Sequence, residues 1–235
     1  MLYNSPKGHR FPAFIISHCI WLYHRFSLSY RDIEELMAAR GIHVSYESIR
    51  RWCKKFARHL TKTLRKKEAV RGEKWHLDEM TLKIQGEPYV LWRAVDSQGY
   101  ELDMFIQKRR NKKAAMRFLK RLLGTRPSPR VIVTDKLRSY TKPINVLFPN
   151  TEHRCHKRLN NRAENSHLPI RRREKAWIKM KSVTTAQRAL ALIGATRNLF
   201  AIEVGRYQHP AWIRKFKLKK AFVQWDQAFS AMLVA

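Results

Sequence analysis

The chain has 235 residues, with 49 Lys and Arg against 18 Asp and Glu, giving a formal net charge of +31. An excess of that size points to a polyanionic partner, double-stranded nucleic acid ahead of an anionic membrane. The 44% hydrophobic residues and seven Trp exclude a disordered basic tail, because such a chain can bury a core.

Residues 11–26 have helical apolar spacing through Phe14, Ile15, Cys19, Leu22 and Tyr23. Ser17 and His18 interrupt this stretch, which therefore reads as no signal peptide, and no run of about 18 apolar residues exists to span a bilayer. Ser29 with Asp32 three residues on forms a capping box that opens a second helix, with Ile33, Leu36 and Met37 on its buried stripe. Gly41 stands where a left-handed C-terminal cap is wanted. Ser45 is the next N-cap, and the third helix carries Ile49, Trp52, Cys53 and Phe56 on one face. Arg50, Arg51, Lys54, Lys55 and Arg58 occupy much of its remainder. A helix, a tight turn and a second helix with a basic outer face suit entry into a DNA major groove, with Tyr46, Glu47 and Arg50 nearest the base edges. The alternative is a small three-helix bundle that only packs on its neighbour. A further basic helix over residues 61–71 loosens near Gly72, which marks a domain boundary.

Residues 75–84 alternate as a strand with Asp78 and Glu79 in its middle. Gly86-Glu87-Pro88 reads as a turn, residues 89–95 as a second strand, Asp96-Ser97-Gln98-Gly99 as a hairpin and residues 100–107 as a third strand. Residues 111–123 switch to helical period with Ala115, Phe118, Leu119 and Leu122 inward, and residues 131–134 form a short apolar strand ending at Asp135. Three antiparallel strands, a crossover helix and a buried strand read as parallel give an α/β layer fold of ribonuclease-H-like topology behind an N-terminal all-α helix-turn-helix domain. In an alternating strand Asp78 and Glu79 point to opposite faces, so only one of them is expected at a shared site.

Between Lys108 and Lys175, 21 basic residues stand against four acids: Asp135, Glu152, Glu164 and Glu174. Glu164, within K-R-L-N-N-R-A-E-N-S-H, reads either as a surface salt bridge or as the ligand of a divalent cation that itself meets phosphate. Cys19, Cys53 and Cys155 are widely spaced, which fits reduced thiols in a cytoplasm. His153, Cys155 and His156 lack the paired spacing of a zinc site. Residues 182–200 form a helix expected to close the catalytic layer. The basic amphipathic tail beyond Gly205 carries no chemistry-bearing groups, and docking, DNA contact and self-association all remain open to it.

W-H-L-D-E at 75–79, V-I-V-T-D-K-L-R-S-Y at 131–140 and L-N-N-R-A-E-N-S-H at 159–167 resemble the three acid blocks of bacterial DDE transposases, nearest the insertion-sequence-six family. S-Y-R-D-I-E-E-L and L-W-R-A-V-D-S-Q-G are similar to that family too, and the resemblance covers residues 8–200. It implies Asp78, Asp135 and Glu164 as the catalytic, metal-binding triad, holding two Mg²⁺ or Mn²⁺ ions. Those ions would serve nucleophile and leaving group in DNA cleavage and strand transfer. It also implies Arg171 as a contact near the scissile phosphate, with Pro169 between it and Glu164 as a source of a kink. Lys136 and Asn161 are further candidate DNA contacts, and Arg138 stands where the family often has Gly. Terminal inverted repeats and target DNA would be the partners, cointegrates the product, and a homodimer or larger assembly the working form in a bacterial, nucleoid-associated setting.

The expected organisation is residues 1–71 for DNA binding, 72–205 for catalysis and 206–235 as the tail. The helix of Glu164 is expected to fold weakly without metal. Two other readings stand beside the transposase: a DNA-binding regulator with an inactive ribonuclease-H-like domain, and a metal-dependent nuclease that does not join strands.

Overall fold

A computed structural model describes residues 5–66, 68, 72–135, 138–155, 182–201 and 210–234. The chain divides into two compact units, one of Met1–Glu68 with Arg188–Ala235, the other of Ala69–Gln187.

The second unit is built on β1 (Lys74–Ile84), β2 (Glu87–Asp96), β3 (Glu101–Gln107), β4 (Val131–Thr134) and β5 (Glu152–Cys155) in the order β3-β2-β1-β4-β5. The first three strands are antiparallel, and β4 runs parallel to both β1 and β5. With the helix α4 (Lys112–Leu123) between β3 and β4 and α5 (Arg138–Leu147) between β4 and β5, this is the ribonuclease-H-like α/β fold. The β1–β2 turn is tighter than Gly86-Glu87-Pro88 suggested. Gln85 (φ 54°) and Gly86 (φ 82°) are both left-handed, so the turn has two residues, and Glu87 and Pro88 already lie in β2. At the next hairpin Asp96 Oδ1 accepts from the backbone N–H of Gln98 (2.8 Å) and Tyr100 (2.9 Å), while Gly99 supplies the positive φ.

Both helices cover the same sheet face. Trp75, Leu77, Val90, Trp92, Ala94 and Leu102 from the strands pack with Phe118, Leu119 and Leu122 of α4 and with Tyr140 and Ile144 of α5. Burying each large apolar side chain contributes about 1.5–3 kcal/mol. Asn111 opens α4, its side chain accepting from Ala114 N–H at 3.0 Å.

The first unit contains α1 (Ala13–Arg25), α2 (Tyr30–Ala38), α3 (Tyr46–Lys66), most of α6 (Val183–Leu199) and α7 (Ala211–Val234). The Ser29–Asp32 capping box is complete, with Asp32 N–H donating to Ser29 Oγ and Ser29 N–H to Asp32 Oδ2. Gly41 takes φ 73° after α2, letting Ile42 N–H reach Met37 O at 3.0 Å. As far as Lys66 the basic stretch continues the third helix as expected, giving one unbroken α3 whose Leu60 and Leu64 extend the buried stripe.

One expectation changes here. Helix α6 does not belong wholly to the sheet unit: from Arg188 onward it joins the helical unit, and Phe200 just beyond it packs on Trp21, Phe222 and Trp225. Its first turns serve the sheet, where the Gln187 side chain bonds Ile106 N–H (2.9 Å) and Met104 O (2.7 Å) and so covers the free edge of β3. Of the alternatives open to the tail, the structure shows docking: α7 is an integral helix of the helical unit. Trp225, Ala228 and Phe229 of α7 are buried, Trp225 Nε1–H donates to Ser17 Oγ at 2.9 Å, and Phe229 meets Phe56 edge-on. Among the described residues no helix is long and apolar enough to cross a membrane.

Trp225→Ala should cost about 3–5 kcal/mol through the cavity it leaves. Urea denaturation followed by far-UV circular dichroism measures this, and an unchanged midpoint would mean that α7 is no part of the core.

Candidate active site

The site forms where the sheet loses a strand. The parallel pairing of β1 with β4 runs only from Lys74↔Val131 to His76↔Val133. Beyond it β1 continues while the chain turns out of β4 at Asp135. Asp78 and Glu79 therefore lie on a stretch of β1 with no β4 neighbour, beside Asp135.

Asp78, Glu79 and Asp135 each present a carboxylate oxygen, and these oxygens lie within 4.8 Å of one another. Strand alternation does not exclude Glu79 as expected. Glu79 does lie on the face of Trp75 and Leu77, where it meets Tyr140 of α5, and Asp78 lies on the other. The missing strand lets both carboxylates turn around the bare edge toward Asp135.

The neighbours of the acids hold them in place. Tyr140 Oη–H donates to Glu79 Oε2 at 2.9 Å, and Arg110 Nε–H donates to Glu79 Oε1 at 2.8 Å. The same guanidinium reaches Asp135 Oδ2 at 3.8 Å. Only 2% of the Glu79 side chain is exposed, and burial pushes its carboxyl above the ordinary range. The Asp135 charge adds to that rise, while Arg110 and Tyr140 oppose it. Burial, with Glu79 alongside, raises the Tyr140 phenol well above its usual value, so it stays a proton donor. Asp78 Oδ1 accepts from Glu79 N–H at 2.8 Å, and across β2 it stands opposite Arg93, which is buried in an ion pair with Glu101. The Asp135 carbonyl accepts from Thr134 Oγ1 (2.8 Å) and from Cys155 Sγ (2.9 Å), and Thr134 Oγ1 also meets His153 Nε2. Those contacts hold the end of β4, and they are where His153 and Cys155 spend their polar atoms.

The donor set is all oxygen, without imidazole or thiolate. It fits a hard divalent cation such as Mg²⁺ or Mn²⁺, which takes carboxylate ligands and keeps several waters. Glu164, Lys136, Asn161 and Arg171 lie outside the described residues. Among the residues expected to meet DNA, Arg50 is held by Glu47 (Nε to Oε2, 2.7 Å), and this pairing pulls the Glu47 carboxyl down to about 2. Arg51 Nε is 3.5 Å from the same carboxylate. Tyr46 carries the Arg31 guanidinium 5.3 Å from its ring centroid. Arg51, Lys54, Lys55 and Arg58 form an exposed row along α3. Arg110 and Tyr140 were not foreseen at the site, where Glu79 stands beside Asp78 rather than as its alternative.

A ribonuclease-H-like sheet with a carboxylate cluster at the β1–β4 edge defines a class: metal-dependent enzymes of phosphoryl transfer on nucleic acid. Residues 72–203 match a family model described as a DDE domain. The transposase of insertion sequence element IS257 in transposon Tn4003 of Staphylococcus aureus is 32% identical over 192 residues, which is 80% of this chain and 84% of that protein. The transposase of insertion sequence-like element IS431mec from the same species matches to the same extent. Among solved structures, the HTLV-2 integrase catalytic core in complex with magnesium overlays 57% of this chain and 90% of that one, at TM-score 0.44 and 14% identity. The BIV integrase catalytic core overlays 66% and 99%, at TM-score 0.42 and 13% identity. The chain belongs to the DDE transposases of bacterial insertion sequences, in the insertion-sequence-six family, and is a divalent-metal-dependent enzyme acting on DNA.

Tyr140→Phe keeps the ring packing against Trp92 but removes the hydrogen bond to a buried carboxylate. Stability should fall by about 1–3 kcal/mol, measured by chemical denaturation in metal-free buffer. No change would mean that the phenol does not support Glu79.

Proposed function

We propose that this transposase binds the terminal inverted repeats of its insertion sequence through the helix-turn-helix of α2 and α3, and cleaves and joins DNA with Asp78, Asp135 and Glu164, forming cointegrates. The observation that carries the reading is the convergence of Asp78 and Asp135, 57 positions apart in sequence, onto one oxygen cluster. Glu164 completes the triad by its place in the family's third acid block. The domain roles that go with this are DNA reading for 1–71, chemistry for 72–205 and a supporting helix for 206–235.

Asp78, Asp135 and Glu164 are the residues that would hold two Mg²⁺ or Mn²⁺ ions. When bound, such ions supply Lewis acidity at phosphorus and at the leaving oxygen. The chain's own residues organise the rest. Tyr140 and Arg110 hold Glu79 in a fixed orientation beside the other acids. Arg110, half-exposed and already within 4 Å of Asp135, offers a guanidinium to a phosphate brought to that edge. Lys136, Asn161 and Arg171 flank the acid blocks and contact the strand near the scissile phosphate. In strand transfer a 3′-hydroxyl oxygen forms the new bond to phosphorus in line with the breaking P–O bond, and the departing oxygen leaves as the new 3′ end.

On α3, Glu47 fixes the Arg50 side chain near the helix start beside Tyr46. Arg51, Lys54, Lys55 and Arg58 supply phosphate contacts that set its register. A homodimer or larger assembly holds two element ends, in the bacterial cytoplasm at the nucleoid.

Asp135→Asn should abolish joining of a labelled terminal-repeat duplex with Mg²⁺, well beyond the roughly 10–100-fold loss typical of an outer-sphere partner, while gel-shift affinity for the repeat is kept. Persistent joining by the variant would sink the triad. Arg51→Ala/Lys54→Ala/Arg58→Ala should weaken binding of the terminal repeat and flatten its salt dependence by about 0.9 for each phosphate no longer neutralised. An unchanged salt slope in fluorescence anisotropy would remove α3 from the DNA interface.

A further inference from the structure

A second basic surface lies on the sheet unit. Lys112, Lys113, Met116 and Arg117 from the first turns of α4, with Lys142 and Pro143 of α5, line one open cleft. Among the described residues no carboxylate lines it. Several basic side chains elsewhere in this unit are paired with acids: Lys108 with Glu87, Arg110 with Glu79, Arg121 with Asp103, Arg130 with Glu73 and Arg154 with Glu152. Among the described residues the four cations of the cleft have no such partner, and all four are exposed.

Their placement works against the isolated fold. Helix α4 has no acid in its first turn and carries two lysines there, where the positive end of the helix dipole disfavours cations. A strand of phosphates laid in the cleft reverses that balance.

The cleft also adjoins the acids. Arg110, which reaches Glu79 and Asp135, immediately precedes the Asn111 cap of α4. Tyr140, which reaches Glu79 from α5, lies two residues before Lys142. Both walls of the cleft are thus the elements that hold the carboxylate cluster.

We infer that the α4–α5 cleft carries the target DNA, the duplex into which the element's end is joined. Three of its four cations are lysines, compact point charges suited to phosphate oxygens without base readout. That suits DNA bound regardless of sequence, whereas the sequence-defined repeat has its reader on α3. This inference rests on the strand-transfer reading given above.

The test uses the full chain with Lys113→Gln, Arg117→Gln and Lys142→Gln combined, after thermal unfolding confirms a native melting temperature. By fluorescence anisotropy, affinity for a 30-bp duplex lacking the terminal repeat should fall about tenfold or more, and the slope of log K against log salt should flatten by about 2–3. Joining of a pre-cleaved repeat end into that duplex should fall with it, and a Lys113→Arg/Lys142→Arg variant should retain both. Unchanged affinity for the non-repeat duplex overturns the inference. So does an equal loss for repeat DNA, which would make the cleft a donor surface. A changed mass by light scattering with DNA affinity intact would make it a contact between copies. If the wild-type chain joins nothing, the strand-transfer reading fails, and the anisotropy alone then decides whether the cleft holds DNA.

Discussion

Everything at the catalytic edge depends on how short β4 is. Three parallel pairs tie it to β1, and then the sheet stops on that side while β1 runs on. A fully paired β1 would send Asp78 and Glu79 to opposite faces with a neighbouring strand between them. The truncated partner instead gives both acids access to Asp135, with oxygens within 4.8 Å. Like charges gathered this closely repel, so the site needs compensation. In this structure it comes from Arg110 and Tyr140 on Glu79, the residue that burial penalises most.

That compensation comes from the helices that build the core. Tyr140 is fully buried against Trp92, so its hydroxyl is held by packing. Arg110 is positioned by the turn that ends at the Asn111 cap. The hydrophobic layer and the polar cluster are consequently one construction: the side chains that seal α4 and α5 to the sheet also aim the groups that steady the acids.

Local signals in the sequence carried far. The capping box at Ser29 and Asp32, the left-handed Gly41 and the hairpin at Asp96–Gly99 each rest on bonds within a few residues, and each is found where its residue types demand. The strands that carry Asp78 and Asp135 were readable for the same reason, since a strand bearing or ending at an acid is a local pattern. What escaped was long-range. Strand β5 is four residues, Glu-His-Arg-Cys, mostly exposed and without alternation, and it forms only because β4 offers it a free side. Glu79 was assigned away from the site by strand period, which holds for the backbone but says nothing of where a neighbouring strand ends. Trp225 on Ser17 joins residues at opposite ends of the sequence, beyond any periodicity.

That last pairing bears on how the molecule is made. The helical unit is assembled from segments that precede and follow the sheet unit, which is an uninterrupted insert between them. During synthesis the insert has all its strands before α7 emerges, so it can mature while the helical unit still lacks a wall. Completion of the helical unit therefore waits for α7, and a premature stop after α6 would spare the five-stranded sheet while leaving Ser17 and Phe56 without the residues that cover them.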